Sequence, residues 1–198
     1  MALNENQIKA INKDNGNVAV IATAGSGKTT VIINRIKRLI TECGVTPENI
    51  FAVTFSKKAK ENIQNKLPDE CCGANVETFH SVALKIVQDY AHGTYKLWVK
   101  SWEKEKCLFD ICKGLGLCAV KEDMPYNDLL KFIATQKINM KKSDNLIYDI
   151  DLPFTNSNMK IIYDEYEEYK EHHAYIEFDD LLNMACEIFE ESPETLEK

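Results

Sequence analysis

A glycine-rich turn between an apolar run and a helical pattern constrains this chain more than any other feature. Residues 18–21 before the turn are apolar and predict a strand, and apolar residues at helical spacing over 30–40 predict a helix. Glycines let consecutive backbone N–H groups converge on phosphate oxygens, and the start of a helix favours an anion. The turn therefore predicts a phosphate-binding loop with the residues Ala22, Thr23, Ala24, Gly25, Ser26, Gly27, Lys28 and Thr29.

Two side chains beside the glycines support this interpretation. Lys28 would reach the β- and γ-phosphates of a nucleotide, and the Thr29 hydroxyl would ligand Mg²⁺. The strict motif places a glycine where this chain has Ala22. A glycine turn without a ligand is the alternative, but such a turn gains nothing from a lysine and a hydroxyl at these two points. We expect residues 22–30, including Thr30, to bind the nucleotide, with Lys28 and Thr29 as the catalytic groups.

Composition and charge restrict the class of protein. The 198 residues are 44% hydrophobic and 28% charged, which is ordinary for a soluble globular protein of one large or two small domains. No apolar run approaches membrane-spanning length and no signal segment begins the chain, so we expect a cytoplasmic protein without a membrane partner. The net charge of −7 argues against a general polyanion binder. Residues 1–66, however, carry ten basic and five acidic side chains, and this part is the expected anion-binding face.

The seven cysteines show no metal-binding spacing. No C-x-x-C pair occurs, and no histidines lie at zinc spacing. We therefore expect reduced thiols in preference to a metal site or disulfides, with a redox-active vicinal pair at Cys71 and Cys72 as the alternative.

The first part of the chain alternates between strand and helix patterns. Asn4 is placed to cap a short helix that reaches Ile11. Residues 50–55 and 74–79 read as a second and a third strand. Ser56 would cap a basic helix that carries Lys57, Lys58 and Lys60, and a further helix begins at His80 and Ser81. Strands that alternate with helices indicate a parallel α/β sheet.

From about residue 94 the pattern changes to helices without strands. Helices are predicted over 96–112, from 124, over 159–173 and over 178–191, with a connection over 137–158 and a new helix that begins at 192–194. The helix over 159–173 is strongly acidic, and we interpret it as a solvated face and not as a metal site. The expected domains are 1–93, an inserted helical subdomain over 94–175, and a return into the first domain over 176–198.

Five segments in this order resemble the N-terminal region of superfamily 1 DNA helicases of the UvrD/Rep/PcrA type. Residues 3–11 resemble the Q motif of that family, and residues 22–29 resemble its motif I, in which alanine commonly replaces the first glycine. Residues 51–59 resemble motif Ia and residues 77–81 resemble motif Ib. Residues 178–182 resemble the segment at which the chain returns from the inserted subdomain.

The resemblance implies a fold and a set of contacts. The fold would be a P-loop NTPase (RecA-like) parallel sheet with an inserted all-helical subdomain, truncated before the Walker B strand. ATP and Mg²⁺ would be the cofactors, with the adenine contacted by Gln7. Single-stranded DNA would meet an aromatic ring that stacks on bases, and lysines and amides that take phosphates. The implied DNA contacts are Thr54, Phe55, Ser56, Lys57, Lys58, Thr78 and His80.

The residues alone leave alternatives at some of these positions. Phe55 would otherwise be a core aromatic at the end of a strand, and His80 a structural residue at a helix start. Lys57 stands where the family usually has asparagine, so a phosphate contact would replace a polar one.

The resemblance also implies partners that this sequence does not contain. The acidic pair that ends the Walker B strand follows the 178–182 segment in the family, and the arginines that stabilise the transferring phosphate lie in a second RecA-like domain. We therefore expect the ATP-binding front end of a 3′-to-5′ DNA helicase, inactive alone, with the rest of the helicase and single-stranded DNA as its partners. The alternatives are a stand-alone nucleotide- or DNA-binding module and, last, a small-molecule kinase, which would leave motifs Ia and Ib unexplained. The sequence does not distinguish DNA repair from replication.

Overall fold

The computed structural model describes residues 3–13, 16–23 and 25–192. Ala24 of the predicted loop and residues 193–194 of the predicted last helix lie outside the described residues. The chain forms two compact units, Met1–Val82 and Ala83–Lys198. The expected division at residues 93 and 175 stays a prediction.

The first unit is a mixture of helices and a short parallel sheet. Two strands pair in parallel, with Phe51 opposite Asn75 and Thr54 opposite Thr78. Both strands and the basic helix are confirmed. The elements are α1 (Glu5–Ile11), α2 (Lys28–Thr41), β1 (Phe51–Thr54), α3 (Lys57–Gln64), β2 (Asn75–Thr78) and the first residues of α4 (Phe79–Tyr90).

The core of the first unit lies where α2 packs beside the strands. Ile36 of α2 is buried with Ile50 and Cys71, and Leu39 and Ala52 pack against them. The apolar stripe predicted over 30–40 is therefore the buried face of α2. This packing fixes the helix that begins at the glycine loop.

The strand predicted over residues 18–21 is wrong. These residues form no strand, and the side chains of Val18, Val20 and Ile21 are 42%, 47% and 99% exposed. A strand exists only where its backbone pairs with a neighbour, and within residues 3–13, 16–23 and 25–192 no segment pairs with it. The apolar run signals strand propensity, but the pairing that a strand needs is a tertiary interaction.

The second unit is helical apart from one short ladder. Residues 96–97, predicted as helix, form a strand that pairs in parallel with residues 175–176, so the expectation of helices without strands is wrong there. None of the described helices is long and apolar enough to cross a membrane. The elements are β3 (Lys96–Leu97), α5 (Ser101–Gly114), α6 (Tyr126–Ile138), α7 (Asn156–His173), β4 (Tyr175–Ile176) and α8 (Phe178–Glu191).

Aromatic and aliphatic side chains of α5, α6 and α7 form the main core of the second unit. Leu108, Phe132 and Tyr166 are fully buried there, and the Trp98 ring stacks on Tyr166 with the centroids 5.4 Å apart. The seven cysteines are free thiols. Burial raises the pKa of Cys112, which lies in this core, to about 12, so it remains a thiol at neutral pH.

A buried cluster of charges joins α6, α7 and α8. Lys137 of α6 forms ion pairs with Glu177 and Asp180, and Lys170 of α7 lies 2.7 Å from Asp180. Tyr166 donates a hydrogen bond of 3.0 Å to Glu177. Lys104 of α5 also lies 2.5 Å from Glu177, so lysines from three other helices hold the start of α8. Among the acidic side chains of α7, Glu165, Glu168 and Glu171 are exposed as predicted, while Glu167 pairs with Lys137 and Lys170.

Candidate functional site

The glycine loop has the backbone conformation that its sequence requires. Gly25 and Gly27 have φ angles of +77° and +86°, the left-handed region that side chains disfavour. Gly27 is also the N-cap of α2, and no side chain of the described residues caps this helix start. The first amides of a helix have no partner within the helix. The loop therefore directs backbone donors and the positive end of α2 to one place.

Lys28 lies back across the loop. Its Nζ atom donates to the carbonyl oxygens of Ala22 and Thr23, each at 2.7 Å. The Ser26 hydroxyl donates to the same Thr23 oxygen at 2.8 Å. The ammonium group of Lys28 is therefore held by backbone oxygens of the loop, and its contact with phosphates stays a prediction.

Gln7 is brought to the glycine loop, as its predicted role requires. Its Nε2 atom donates to the Ser26 carbonyl at 3.1 Å, and its Oε1 atom accepts from the Asn4 amide in the cap of α1. A Cβ atom on Gly27 would lie 2.8 Å from Gln7 Nε2. The Arg35 guanidinium donates to the Ala10 carbonyl at 2.9 Å and fastens the far end of α1 to α2. The contact between Gln7 and adenine stays a prediction.

The two threonines after the lysine differ in exposure. Thr29 is half-buried in the first turn of α2, and Thr30 is exposed. Thr29 thus follows the glycine loop directly, in the first turn of α2. Its role as a metal ligand stays a prediction.

The carboxyl ends of β1 and β2 form the second part of the site. Thr54 donates from its hydroxyl to the Ser56 carbonyl at 3.1 Å. Thr78 is buried, and its hydroxyl accepts from the Ser81 amide at 3.2 Å, which makes it the cap of α4. Both threonines hold the backbone at the strand ends. Contacts of their side chains with DNA stay predictions.

Two phenylalanines follow these threonines and lie side by side. The ring centroids of Phe55 and Phe79 are 5.0 Å apart, with a 47° angle between the planes. Phe55 is 88% exposed and Phe79 is 41% exposed. The alternative interpretation of Phe55 as a core aromatic is therefore wrong, while the stacking that the resemblance implies stays a prediction.

The basic helix presents two of its three first-turn lysines to solvent. The Ser56 hydroxyl accepts from the Ala59 amide at 3.2 Å and caps α3, as predicted. Lys57 and Lys58 are exposed. Lys60 instead forms an ion pair of 2.8 Å with Glu77. His80 is half-buried in the first turn of α4.

Glu77 and Phe79 are the residues that the sequence analysis missed. Glu77 accepts from Lys60 of α3 and, at 2.7 Å, from the Ser81 hydroxyl of α4, so it joins the starts of the two helices. One signal could have revealed Phe79: in both strands the last residue is a threonine that a phenylalanine follows. An in-register parallel pair places the second phenylalanine beside the first.

Known proteins resemble this chain over almost its whole length. A family model described as the UvrD/REP helicase N-terminal domain matches residues 3–198. The putative ATP-dependent DNA helicase YjcD of Bacillus subtilis is 29% identical and is matched by all of this chain, which covers 27% of the relative. DNA helicase II of Rickettsia typhi is 31% identical, with 98% of this chain and 30% of the relative aligned. The ATP-dependent DNA helicase PcrA of Staphylococcus epidermidis is 26% identical, with 98% and 27% aligned. The chain therefore spans less than a third of the length of these relatives.

Proposed function

Because the chain belongs to the UvrD/REP helicase N-terminal domain family, we propose that it is the ATP-binding and single-stranded-DNA-contacting front part of an ATP-dependent DNA helicase. Translocation and unwinding, with the 3′-to-5′ polarity that the family resemblance implies, would be activities of a longer parent protein. The front part would contribute the phosphate-binding loop and the DNA contacts at the ends of β1 and β2 and at the start of α3.

The observation that carries the nucleotide part of the proposal is the loop with two left-handed glycines at the start of α2. Backbone amides from Gly25 to Thr29 would bind the phosphates of ATP. Lys28 would exchange its two carbonyl partners for the β- and γ-phosphates. Thr29 would hold Mg²⁺, which neutralises phosphate charge.

The DNA part rests on the strand ends beside α3. Phe55 offers an exposed ring on which bases of any identity can stack. Lys57, Lys58 and the first-turn amides of α3 that Ser56 does not cap would bind phosphates. An aromatic ring next to cations at a helix start matches the chemistry of a single strand better than that of a duplex, whose bases are already stacked.

Nucleotide binding is tested with a fluorescent ATP analogue and Mg²⁺. We expect Lys28→Ala to weaken binding roughly 10- to 100-fold, the loss expected for a hydrogen bond to a charged group. Lys66→Ala, an exposed lysine of the same unit, is the matched control. Thr29→Ala should abolish the difference between affinities measured with Mg²⁺ and with EDTA. Equal affinity of Lys28→Ala and the unsubstituted chain would contradict the proposal.

DNA binding is tested with a single-stranded oligothymidylate at several salt concentrations. We expect the double substitution Lys57→Ala/Lys58→Ala to weaken binding and to reduce the salt slope by about 0.7 for each phosphate that a lysine no longer neutralises. Lys66→Ala should leave the slope unchanged. An unaltered slope in the double variant would remove these lysines from the DNA site.

A further inference from the structure

We propose that Phe79 positions the ring of Phe55 for base stacking, a role that nothing in the sequence motifs assigned to it. The inference rests on the proposed contact between Phe55 and single-stranded DNA. It concerns how the Phe55 ring is ordered before DNA binds.

The register of the sheet places the two rings together. Thr54 and Thr78 are opposite each other in the parallel pair, so the next residue of each strand emerges at the same edge. The centroid distance of 5.0 Å and the 47° tilt lie within the range of favourable aromatic pairs. The contact is therefore a consequence of strand pairing.

The spacing decides which faces a base can use. A base between two rings would need them about 7 Å apart, twice an optimal carbon contact distance. At 5.0 Å the inner faces are closed to a base. A base can therefore stack only on the face of Phe55 that points away from Phe79. Phe79 packs against the opposite side of the ring.

Phe79 is held more firmly than Phe55. It is the first residue of α4, directly after Thr78, which is buried and caps that helix. Glu77, the residue before Thr78, is bound to Lys60 and Ser81. Phe55 lies between β1 and α3 and is 88% exposed, so its ring has few other contacts to limit its rotamers. A ring ordered in advance loses less entropy on binding.

The test compares two single strands, an oligothymidylate and the same strand with abasic sites, both bound to the 198-residue chain. The abasic strand keeps the phosphates and removes stacking. We expect Phe55→Ala to weaken oligothymidylate binding about tenfold, a typical loss for one base–aromatic stack, and to leave the abasic strand unaffected. Phe79→Ala should weaken only oligothymidylate binding, by about threefold, the size of one side chain's ordering cost.

A double variant separates positioning from independent contact. If Phe79 acts through Phe55, the Phe55→Ala/Phe79→Ala chain binds oligothymidylate no more weakly than Phe55→Ala. Phe79→Leu, which retains apolar bulk, should keep more affinity than Phe79→Ala and guards against simple misfolding. Tyr90→Ala, at the opposite end of α4 and similarly exposed, is the matched control and should bind both strands normally.

The inference is overturned if Phe79→Ala binds oligothymidylate normally, if its loss multiplies with that of Phe55→Ala, or if it weakens the abasic strand equally. When the lysine variants weaken binding and the phenylalanine variants do not, only this inference fails. When none of these substitutions changes affinity, the proposed DNA contact fails as well.

Discussion

Gly27 joins the backbone conformation of the glycine loop to the packing of α1. Its left-handed φ would cost another residue about 1–2 kcal/mol. In addition, a Cβ atom there would displace the Gln7 amide from its bond to the Ser26 carbonyl. Gln7, which the resemblance assigns to adenine, can therefore contact the predicted phosphate-binding loop only because residue 27 has no side chain.

Gly27→Ala should therefore destabilise the start of α2 more than a left-handed conformation alone explains. We expect the free energy for local opening of the start of α2 to fall by about 2–3 kcal/mol. The left-handed backbone accounts for about 1–2 kcal/mol of this loss, and the hydrogen bond of Gln7 for about 1 kcal/mol. Hydrogen exchange of the α2 amides measures it. Gly44→Ala, left-handed with open space around it, is the control and should lose only the backbone term. In a Gln7→Ala background the difference between the two should vanish; an unchanged difference would contradict the explanation.

Prediction at the residue scale succeeded where the signal was local. Asn4 and Ser56 cap their helices as expected, because a cap needs only the next three residues. Gln7 lies beside the loop, as the combined motifs suggested. Glu77 and Phe79 were missed because their partners, Lys60 and Phe55, are 17 and 24 positions away and meet them only once the strand register is set.

At the scale of elements, Glu77 and Lys60 connect the starts of α3 and α4. Both side chains are less than a third exposed, so the ion pair is weakly screened. We expect a double-mutant cycle with Lys60→Met and Glu77→Gln to give a coupling of about 1–2 kcal/mol, as for hydrogen bonds to charged groups. The pair of Lys37 and Glu70, nearly half exposed, is the control in the same unit and should show a clearly smaller coupling. Equal couplings would mean that burial adds nothing to the Lys60 pair.

The buried charges that join α6, α7 and α8 predict how stability depends on pH. Burial pulls the pKa of Glu177 up, but Lys137, Lys104 and Lys170 outweigh it and lower the pKa from 4.5 to about 2. Burial pulls the pKa of Lys137 down, but the carboxylates of Asp180, Glu167 and Glu177 raise it above its ordinary 10.5. A lowered acid pKa stabilises the fold above pH 4.5, and this contribution disappears as the pH falls toward 2. A raised lysine pKa stabilises the fold below pH 10.5, and this contribution disappears as the pH rises further.

We therefore expect the second unit to lose stability below about pH 4.5 and above about pH 10.5. Both tryptophans, Trp98 and Trp102, belong to this unit, so tryptophan fluorescence follows its unfolding selectively. Glu177→Gln should reduce the loss of stability below pH 4.5. Glu168→Gln, on the solvent side of α7, should leave that loss unchanged. If Glu177→Gln lost as much stability at acid pH as the unsubstituted chain, the Glu177 carboxylate would be excluded as the cause of that loss.

The elements that sequence patterns predicted are those that depend on local periodicity. The helices α2, α3, α7 and α8 follow from apolar spacing and from capping residues. The strand over 18–21 was predicted and does not form, and β3 forms where a helix was predicted. Strand formation depends on a partner, and the partner of residues 96–97 is 79 positions further along the chain. No local pattern contains that information.

At the scale of the whole molecule, the chain spans 27% to 30% of the three relatives described above, which are named as ATP-dependent DNA helicases or DNA helicase II. Phosphoryl transfer from ATP to water needs a carboxylate or similar group that orients the water and a cation that stabilises the transition state. Asp180 is one carboxylate of this chain that would have to orient the water, but it is paired with Lys137 and Lys170 of the second unit. Asp179 is exposed at the start of α8.

We therefore predict that this chain binds ATP but releases phosphate no faster than background, with or without single-stranded DNA. Phosphate release under multiple-turnover conditions measures it, with Lys28→Ala as the reference for a loop that cannot hold the nucleotide. DNA-stimulated release that Lys28→Ala abolishes would contradict the prediction, because a carboxylate of this chain would then have to complete the site. Asp179→Asn and Asp180→Asn would identify it: loss in Asp179→Asn alone would indicate the exposed group, and loss in Asp180→Asn would mean that its lysine pairs open when nucleotide binds.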